Sequence, residues 1–382
     1  MTTVHVNGIY LTGRHQSSGF GRYLQNILPL MAELSPDIEW IVYCPVKPEV
    51  STQLNMRFCI IEDTCRCFPQ SIVKHSSFSD TCRDILFLPH AEFPVIWPLQ
   101  ARTVCVIHDI IPTLFLTPRF LLLGKTPPGM ITAKGITDYF LLRKMLRRLD
   151  TVITVSHTSK KSLLSIFSQI PDTKIKVIYN GIDPLFHPRD ADDPDTLAVL
   201  QKLNLKWKSF VFYFGGHTVR KNAGSAYMAW KRLPPEIKKS IPFCILGKGY
   251  WEKKIKKYND PGVKFIPVLT QSELAAVTAA AVLTVYPSRY EGFGMPVIES
   301  LASGTPVLPS HIPTTTEILG STYPSHEPSD ISEAHVLMAM LLEKKNNDKN
   351  IHGMVQRAAE NISEKFSWKF CAAKTLSAIL NN

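Results

Sequence analysis

The chain has 382 residues, of which 45% are hydrophobic and 20% charged; this composition is typical of a soluble globular protein, and the length suffices for two domains. Its 43 basic and 32 acidic residues give a net charge of +11, which suits an anionic partner such as a phosphorylated ligand, an acidic lipid surface or nucleic acid. No apolar run reaches the roughly 18 residues that span a bilayer, and the N-terminal stretch MTTVHVNGIYLTG lacks the basic region of a secretory signal.

The eight cysteines point to a reducing compartment. They form no CxxC pair, and none has the spacing to histidine that is typical of a zinc site. Cys44, Cys105 and Cys244 lie inside apolar runs, where a free thiol behaves as a small core residue. We therefore expect free thiols and a cytoplasmic protein.

Short apolar runs alternate with segments of helical period along most of the chain. The runs are VHVNGIY, WIVYC, ILFL, TVCVIH, TVITVS and IKVIY in the first half, then FVFYFG, FCILG, VKFIPV, LTVYPS and TPVLPS. Such runs joined by helices predict buried parallel strands in open α/β sheets with helices on both faces. The acidic, proline-containing stretch at 183–195 interrupts this rhythm and predicts a linker. The sequence therefore predicts two doubly wound, Rossmann-like domains that face a cleft.

Ligands of such folds bind at the carboxyl ends of strands, so the loops that follow the apolar runs are the candidate sites. The first is GRHQSSGFGRYLQNIL, where Gly19 and Gly21 allow close backbone approach and the next helix offers its N-terminal amides to an anion. Leu24 occupies the place of the third glycine of a nicotinamide-binding fingerprint, which argues against that cofactor. A flexible glycine turn explains this loop equally well.

The second candidate loop, VIHDIIP, places His108 and Asp109 directly after a buried strand. A histidine there could bond a substrate hydroxyl or share a proton, with Asp109 fixing its tautomer. A histidine that only caps the next turn is the alternative, and position does not distinguish the two.

The third candidate loop is YFGGHTVRKN. Gly215 and Gly216 end a strand, and Arg220 and Lys221 come just before a helix that we expect to start near Asn222. Two cations beside helix amides form a cradle for a diphosphate, for which arginine supplies a planar fork and lysine a mobile charge. We favour this interpretation over a solvated basic turn because the strand-end glycines precede the cations so closely.

The fourth candidate loop, PSRYEGFGMPVIES, carries two glutamates. Pro296 suits the first turn of a helix, and Glu299 within that helix could merely complement its dipole. Glu291 has no such explanation and no obvious basic partner nearby in the sequence. A carboxylate at a strand end can accept hydrogen bonds from vicinal hydroxyls, which indicates a sugar. The spacer between Glu291 and Glu299 would then separate one sugar from a second sugar on the same ligand. Two sugars joined by the diphosphate that Arg220 and Lys221 would hold describe a nucleotide sugar.

In this order the motifs resemble a known family. The glycine loop, HD..P, VSHTSKKSL, VIYNGID, FGG....RKN and EGFGMPVIESLASGTPVL are similar to those of retaining glycosyltransferases of family 4, which have the GT-B fold. The resemblance covers nearly the whole chain. It implies an acceptor-side domain at 1–183, a nucleotide-sugar domain at 184–365, and a C-terminal helix at 366–382 that packs back on the first domain.

The resemblance also implies roles for single residues. Glu291 would bind hydroxyls of the donor sugar and Glu299 those of the ribose, while Arg220 and Lys221 would hold the diphosphate. His108 would sit against the sugar near the reacting carbon. The remaining implied contacts are Gly19 and Gly21 at the phosphates, Gly215 and Gly216 at the strand end, Gly292, Phe293, Gly294 and Met295 around the sugar, and Val268 in FIPVLTQSEL, which matches the base pocket. The implied catalytic group is His108, Glu291, Arg220 and Lys221.

Donor, metal and acceptor follow as expectations. Many relatives carry arginine where this chain has Gly216, and the Gly-Gly form, known in bacterial mannosyltransferases of surface polysaccharides, favours GDP-mannose over a UDP- or dTDP-sugar. The DxD pattern in RDADDPD lacks a preceding strand, so we interpret it as a solvated linker and expect no metal and no cofactor. The partners would be a nucleotide sugar and a glycan or polyprenyl-linked acceptor.

A membrane surface is a further expected partner. An apolar group of Phe115, Leu116, Phe120, Leu121, Leu122 and Leu123 is followed by the cations Arg143, Lys144, Arg147 and Arg148. Such an arrangement suits peripheral binding to anionic lipid on the cytoplasmic face, although core leucines and a solvated helix face are the alternative.

Three other classes of function fit the motifs less well. A nicotinamide oxidoreductase needs the complete glycine fingerprint, and a nucleic-acid-binding protein needs aromatics interleaved on a basic stripe. A sugar-nucleotide epimerase or a glycogen-type synthase would keep the fold but change the reaction.

Overall fold

The computed structural model describes residues 2–13, 16, 18–48, 55–61, 68–91, 99–110, 133–247, 250–342 and 349–381. By its internal contacts the chain divides into two units, Met1–Gly181 with Ser367–Asn382, and Ile182–Phe366. Each unit is built around one parallel sheet.

Seven strands form the sheet of the first unit. They are β1 (Thr3–Asn7), β2 (Glu39–Cys44), β3 (Met56–Ile60), β4 (Ile85–Leu88), β5 (Arg102–Ile107), β6 (Thr151–Thr154) and β7 (Ile175–Val177). All pair in parallel in the order β3-β2-β1-β4-β5-β6-β7. Strand β3 was not among the predicted apolar runs. It is an edge strand that is only half-buried and carries Arg57, so it lacks the apolar run of its neighbours.

The helices described in the first unit are α1 (Gly19–Leu34), α2 (Phe68–Lys74), α3 (Ala133–Arg148), α4 (His157–Ile166) and α14 (Trp368–Leu380). Helix α1 forms because Tyr23, Leu24, Ile27, Leu28 and Met31 recur at helical spacing and are all buried. The C-terminal helix α14 packs against α1, where the Tyr23 and Thr375 hydroxyls lie 3.3 Å apart. Arg102 of β5 donates to the carbonyls of Ala378 and Ile379 and so fixes the end of α14.

The second unit repeats the plan with five strands. They are β8 (Val211–Tyr213), β9 (Phe243–Leu246), β10 (Val263–Ile266), β11 (Leu283–Tyr286) and β12 (Val307–Pro309), in the parallel order β10-β9-β8-β11-β12. Its helices are α5 (Pro194–Lys202), α6 (Ala223–Lys231), α7 (Pro235–Ser240), α8 (Tyr250–Lys256), α9 (Gln271–Ala280), α10 (Met295–Ala302), α11 (Pro313–Leu319), α12 (Ile331–Leu342) and α13 (Lys349–Lys365). The predicted α/β architecture with two doubly wound parallel sheets is confirmed.

The strand order reverses once in each sheet, and this places the candidate loops. In the first sheet the chain runs outward from β1 through β2 to β3 and then returns to β4, on the other side of β1. In the second sheet it runs outward from β8 through β9 to β10 and returns to β11, on the other side of β8. Ligands of such folds bind at the carboxyl ends of the two strands where the order reverses. The loops after β8 and β11 are therefore the geometrically favoured site of the second unit.

Three expectations from the sequence concern structure away from those loops. Cys44, Cys105 and Cys244 are buried and free, as expected, and burial raises the pKa of the Cys44 and Cys244 thiols to about 12. The linker acid Asp193 caps α5 by accepting from the Thr196 amide at 2.8 Å. The apolar group at 115–123 lies outside the described residues, and no described helix has the length and apolarity to cross a membrane.

Gly181 has no room for a side chain, and this yields a stability prediction. A Cβ there would lie 2.6 Å from the Cα of Trp368, where α14 begins. We expect Gly181→Ala to lower the free energy of unfolding by about 1–3 kcal/mol, the usual cost of overpacking. Urea denaturation followed by circular dichroism measures this. Gly19→Ala is the control, because a Cβ at that exposed position meets nothing within 4 Å; equal losses in both variants would contradict the packing argument.

Candidate functional site

The loop after β8 is shaped by glycines, a left-handed asparagine and a tyrosine. Gly216 has φ +89°, a short 3-10 helix spans Val219–Lys221, and Asn222 at φ 55° turns the chain into α6. The hydroxyl of Tyr213, the last residue of β8, lies 2.6 Å from the Gly216 carbonyl and 3.2 Å from that of Lys221. The loop is thereby folded back over the end of its own strand.

The loop after β11 is fastened to the loop after β8. The Arg289 amide donates to the Arg220 carbonyl at 3.0 Å, and Nη1 of Arg220 donates to the Tyr290 carbonyl at 2.6 Å. Because β8 and β11 are parallel neighbours, their carboxyl ends lie at one edge of the sheet. Two segments about 70 positions apart in sequence thus form one surface.

The carboxylate of Glu291 is the centre of this surface. Its Oε1 accepts from Arg220 Nη1 at 2.8 Å, from Lys221 Nζ at 2.9 Å and from the Ser288 hydroxyl. Burial by itself would raise the pKa of Glu291, which is only 6% exposed, but Lys221, then Arg220 and Ser288 outweigh it and lower the pKa to about 2. The carboxylate is ionised at neutral pH. The basic partners that are not evident near Glu291 in the sequence are supplied by the fold, as Arg220 and Lys221.

Lys221 has a further described partner in Tyr286, the last residue of β11. Its Nζ donates to the Tyr286 hydroxyl at 2.7 Å. This tyrosine also explains Gly215, since a Cβ there would lie 3.0 Å from Tyr286 Cε2 and 3.1 Å from the Tyr213 hydroxyl. Gly215 therefore makes room for two tyrosines, a packing reason that the glycine pattern alone did not suggest.

The helix after Glu291 begins as predicted. Gly294 has φ +100°, α10 starts at Met295, and Pro296 lies in its first turn. Phe293 packs edge-on against Phe366 with ring centroids 5.4 Å apart, and the Thr314 hydroxyl donates to the Glu291 carbonyl at 2.7 Å. The turn of Gly292, Phe293 and Gly294 is thus held from several sides.

Two other predicted residues of the second unit differ in exposure. Glu299 lies in the second turn of α10 and is 1% exposed. Val268 follows β10 and is 86% exposed, at the same carboxyl edge of the sheet as Arg220 and Glu291. Such exposure is unusual for an apolar side chain and leaves it available to a ligand.

His108 belongs to the first unit, at the end of β5. Its Nε2–H donates to the Pro89 carbonyl at 2.9 Å, and Phe20 and Tyr23 each lie 4.9 Å from its ring between centroids. Burial lowers its pKa to about 4, so the ring is neutral at pH 7. The Pro89 carbonyl therefore sets the tautomer of His108, a role for which the sequence offered Asp109.

The glycines of the first predicted loop lie in a helix. Helix α1 begins at Gly19, and the Gly21 amide donates to the hydroxyl of its N-cap, Ser18, at 3.1 Å. Neither glycine has a positive φ. The helix therefore starts earlier than the sequence suggested, because Ser18 caps it directly before Gly19.

The polar side chains behind the charged cluster are not among the residues predicted from the sequence. Tyr213, Tyr286, Ser288 and Thr314 all bond residues of the two loops. The signal that could have found the tyrosines is their position as last residues of predicted strands, at the edge where ligands bind. In the part of the chain that the structure describes, no group of three or more His, Cys, Asp or Glu side chains could hold a metal ion.

Two family models match this chain. One, described as "Glycosyl transferases group 1", matches residues 198–359 and includes Arg220, Lys221 and Glu291. The other, described as "Glycosyltransferase Family 4", matches residues 84–185 and includes His108. Together they contain the charged cluster of the second unit and the histidine of the first.

Curated relatives are similar over part of their length. The O-antigen chain mannosyltransferase B of Escherichia coli is 26% identical over 62% of this chain and 62% of its own. The MMP alpha-(1->4)-mannosyltransferase of Mycolicibacterium hassiacum is 25% identical over 62% of this chain and 55% of its own. The chain thus spans less than two thirds of the length of these relatives.

Solved structures are similar over the whole chain. WaaG, a glycosyltransferase involved in lipopolysaccharide biosynthesis, superposes with a TM-score of 0.71 at 13% identity and covers 100% of both chains. HepE of Anabaena, solved with UDP and glucose, gives a TM-score of 0.69 at 16% identity over 99% of this chain and 100% of its own. At such identities the similarity establishes the fold alone. With both family models matched and the fold shared over its full length, this chain belongs to the glycosyltransferases of family 4, which have the GT-B fold.

Proposed function

We propose that this protein is a retaining glycosyltransferase that moves a hexosyl group from a nucleotide sugar to a glycan or a lipid-linked glycan. The observation that carries the proposal is the convergence of Arg220 and Lys221 on Glu291 where β8 and β11 meet. Two cations next to an ionised carboxylate offer charge for a diphosphate and an acceptor for sugar hydroxyls in one place. Both are needed to hold a nucleotide sugar.

In the proposed reaction Arg220 and Lys221 stabilise the diphosphate as it leaves the sugar. Breaking the bond between the sugar and the diphosphate builds negative charge on phosphate oxygens and positive charge on the sugar ring. Arg220 and Lys221 are already held in place by Glu291, so little reorganisation is needed when that charge develops. We infer that the phosphates of the donor bind both cations, while its sugar hydroxyls donate to Glu291.

Neither Glu291 nor His108 suits proton transfer near pH 7. A pKa of about 2 keeps Glu291 as an acceptor of hydrogen bonds, and a pKa of about 4 keeps His108 neutral. Since Pro89 holds the Nε2 proton, Nδ1 is the nitrogen of His108 that can accept from a sugar hydroxyl. We propose that the leaving phosphate itself removes the acceptor proton on the same face of the sugar, so that configuration is retained.

We propose that the donor is GDP-mannose and that the group transferred is mannose. Relatives named as mannosyltransferases support this choice, as does the Gly215–Gly216 pair at the end of β8. A UDP- or dTDP-sugar on the same site is the alternative. Because Arg220 and Lys221 supply the positive charge, we propose that no metal ion is required.

A screen of nucleotide sugars tests the function. With excess EDTA and no acceptor, we expect slow hydrolysis of GDP-mannose, and GDP should bind more tightly than UDP or dTDP in calorimetry. Preference for UDP or dTDP would support the alternative donors. Hydrolysis of no sugar nucleotide, or activity that appears only when manganese is added back, would contradict the proposal.

Glu291→Gln tests the centre of the site. Gln keeps the shape but loses the charged acceptor for sugar hydroxyls, so transfer should fall by at least about a hundredfold. Nucleoside-diphosphate affinity should change little, because Glu291 would contact the sugar and not the diphosphate. Glu39→Gln is a matched control, since Glu39 pairs with Arg57 at 3.3 Å at the amino end of β2. Transfer at the parental rate, or loss of nucleotide binding, would refute the assignment.

We further propose peripheral binding to the cytoplasmic face of a membrane. Phe140, Lys144, Arg147 and Arg148 recur at helical spacing along α3, and all four are exposed, Phe140 by 58%. An apolar ring beside cations is typical of an interfacial helix, and each cation near anionic lipid contributes about 1 kcal/mol. A lipid-linked acceptor would give such binding a purpose.

Liposome co-sedimentation tests this membrane surface. Binding to anionic liposomes should weaken at high salt and with Arg147→Glu plus Arg148→Glu. Lys206→Glu plus Lys239→Glu makes the same charge change at exposed positions of the second unit and should bind like the parent. Failure to sediment at low salt by an enzyme active on a water-soluble acceptor would reject the proposal, as would equal loss in both double variants.

A further inference from the structure

The phenol of Tyr286 lies against the two charges of the site. Tyr286 ends β11 and is 2% exposed. Its hydroxyl accepts from Lys221 Nζ at 2.7 Å, and Nζ lies 5.1 Å from the centroid of its ring. A lysine ammonium is a mobile point charge on a flexible stem, so its place depends on the groups that bind it.

Tyr286 also lies near the carboxylate that pairs with this lysine, because Lys221 Nζ is 2.7 Å from the Tyr286 hydroxyl and 2.9 Å from Glu291 Oε1. Burial, then the charge of Glu291, raises the pKa of Tyr286 well above its usual value of 10. The hydroxyl therefore keeps its proton. It can donate to Glu291 while it accepts from Lys221, so one neutral group joins anion and cation.

The ring of Tyr286 is itself fixed by its surroundings. Gly215 leaves space that a Cβ would fill to within 3.0 Å of Cε2, and the neighbouring strand β8 brings Tyr213 to the same glycine. Tyr213 in turn bonds the Lys221 carbonyl at 3.2 Å. The backbone and the ammonium of Lys221 are thus each held by a tyrosine from an adjacent strand.

We propose that Tyr286 is a positioning residue, which holds the Lys221 ammonium where the diphosphate of the donor needs it. The inference rests on the proposed function, since it presumes that Lys221 binds this diphosphate. Tyr286 would act through Lys221. Loss of the Tyr286 hydroxyl should therefore reduce diphosphate binding and transfer only while Lys221 is present.

A double-mutant cycle tests this role. In the parental enzyme, Tyr286→Phe keeps the ring but removes the hydroxyl, and we expect both nucleoside-diphosphate affinity and kcat/KM to fall about tenfold, as for loss of one charge-assisted hydrogen bond. In a Lys221→Ala background the same substitution should change neither. Tyr323→Phe is the matched control, because Tyr323 is a buried tyrosine of the same unit whose hydroxyl bonds the Val307 carbonyl at 2.9 Å.

The cycle separates the possible failures. Equal losses from Tyr286→Phe in both backgrounds, or a loss matched by Tyr323→Phe, would show a general structural role and overturn the inference. A Lys221→Ala loss without any loss from Tyr286→Phe would overturn it too, while leaving the proposed function intact. Unchanged diphosphate binding in Lys221→Ala would refute the phosphate role of Lys221, and the inference with it. Unfolding midpoints of all variants verify that each protein is folded.

Discussion

The ion cluster on one oxygen of Glu291 is the interaction on which the site of the second unit depends. A buried carboxylate destabilises the fold unless it is paired with a cation, and removing one partner of such a cluster leaves a buried charge without compensation. Here the two cations exceed the one anion, so the cluster carries a net positive charge even when every contact is made. This excess of positive charge favours the binding of an anion, and the ion pairs hold the three side chains together.

The parallel sheet makes this cluster possible. Arg220 and Glu291 meet because β8 and β11 are neighbours where the strand order reverses, and both strands end at the same edge. Backbone bonds between the loops, such as Arg289 amide to Arg220 carbonyl, hold the side chains in register. Tyr213 and Tyr286 then fill the space behind them, which requires a glycine at 215. A charged site of this kind needs a rigid apolar support.

The first unit offers different chemistry at the end of its sheet. His108 is neutral, buried and surrounded by the rings of Phe20, Tyr23 and His90. Such a surrounding disfavours charge and suits apolar faces and single hydrogen bonds. Of the predicted site residues, the second unit therefore holds the ion cluster around Glu291 and the first unit holds a neutral imidazole.

The sequence by itself determined the class of fold and the positions of the charged loops. Eleven apolar runs correspond to strands, because strands buried on both faces need continuous apolar residues. Strand β3 has no such run, because it is a half-exposed edge strand, and the sequence pattern therefore did not predict it. Gly294 and Pro296 marked the start of α10 through local backbone preferences alone. Only the tertiary structure decided which distant residues contact each other. Glu291 forms an ion pair with Arg220, His108 donates to the Pro89 carbonyl, and Gly215 packs against two tyrosine rings. Local pattern reports burial and backbone conformation, but contacts between residues far apart in the chain depend on strand order, which no local pattern encodes.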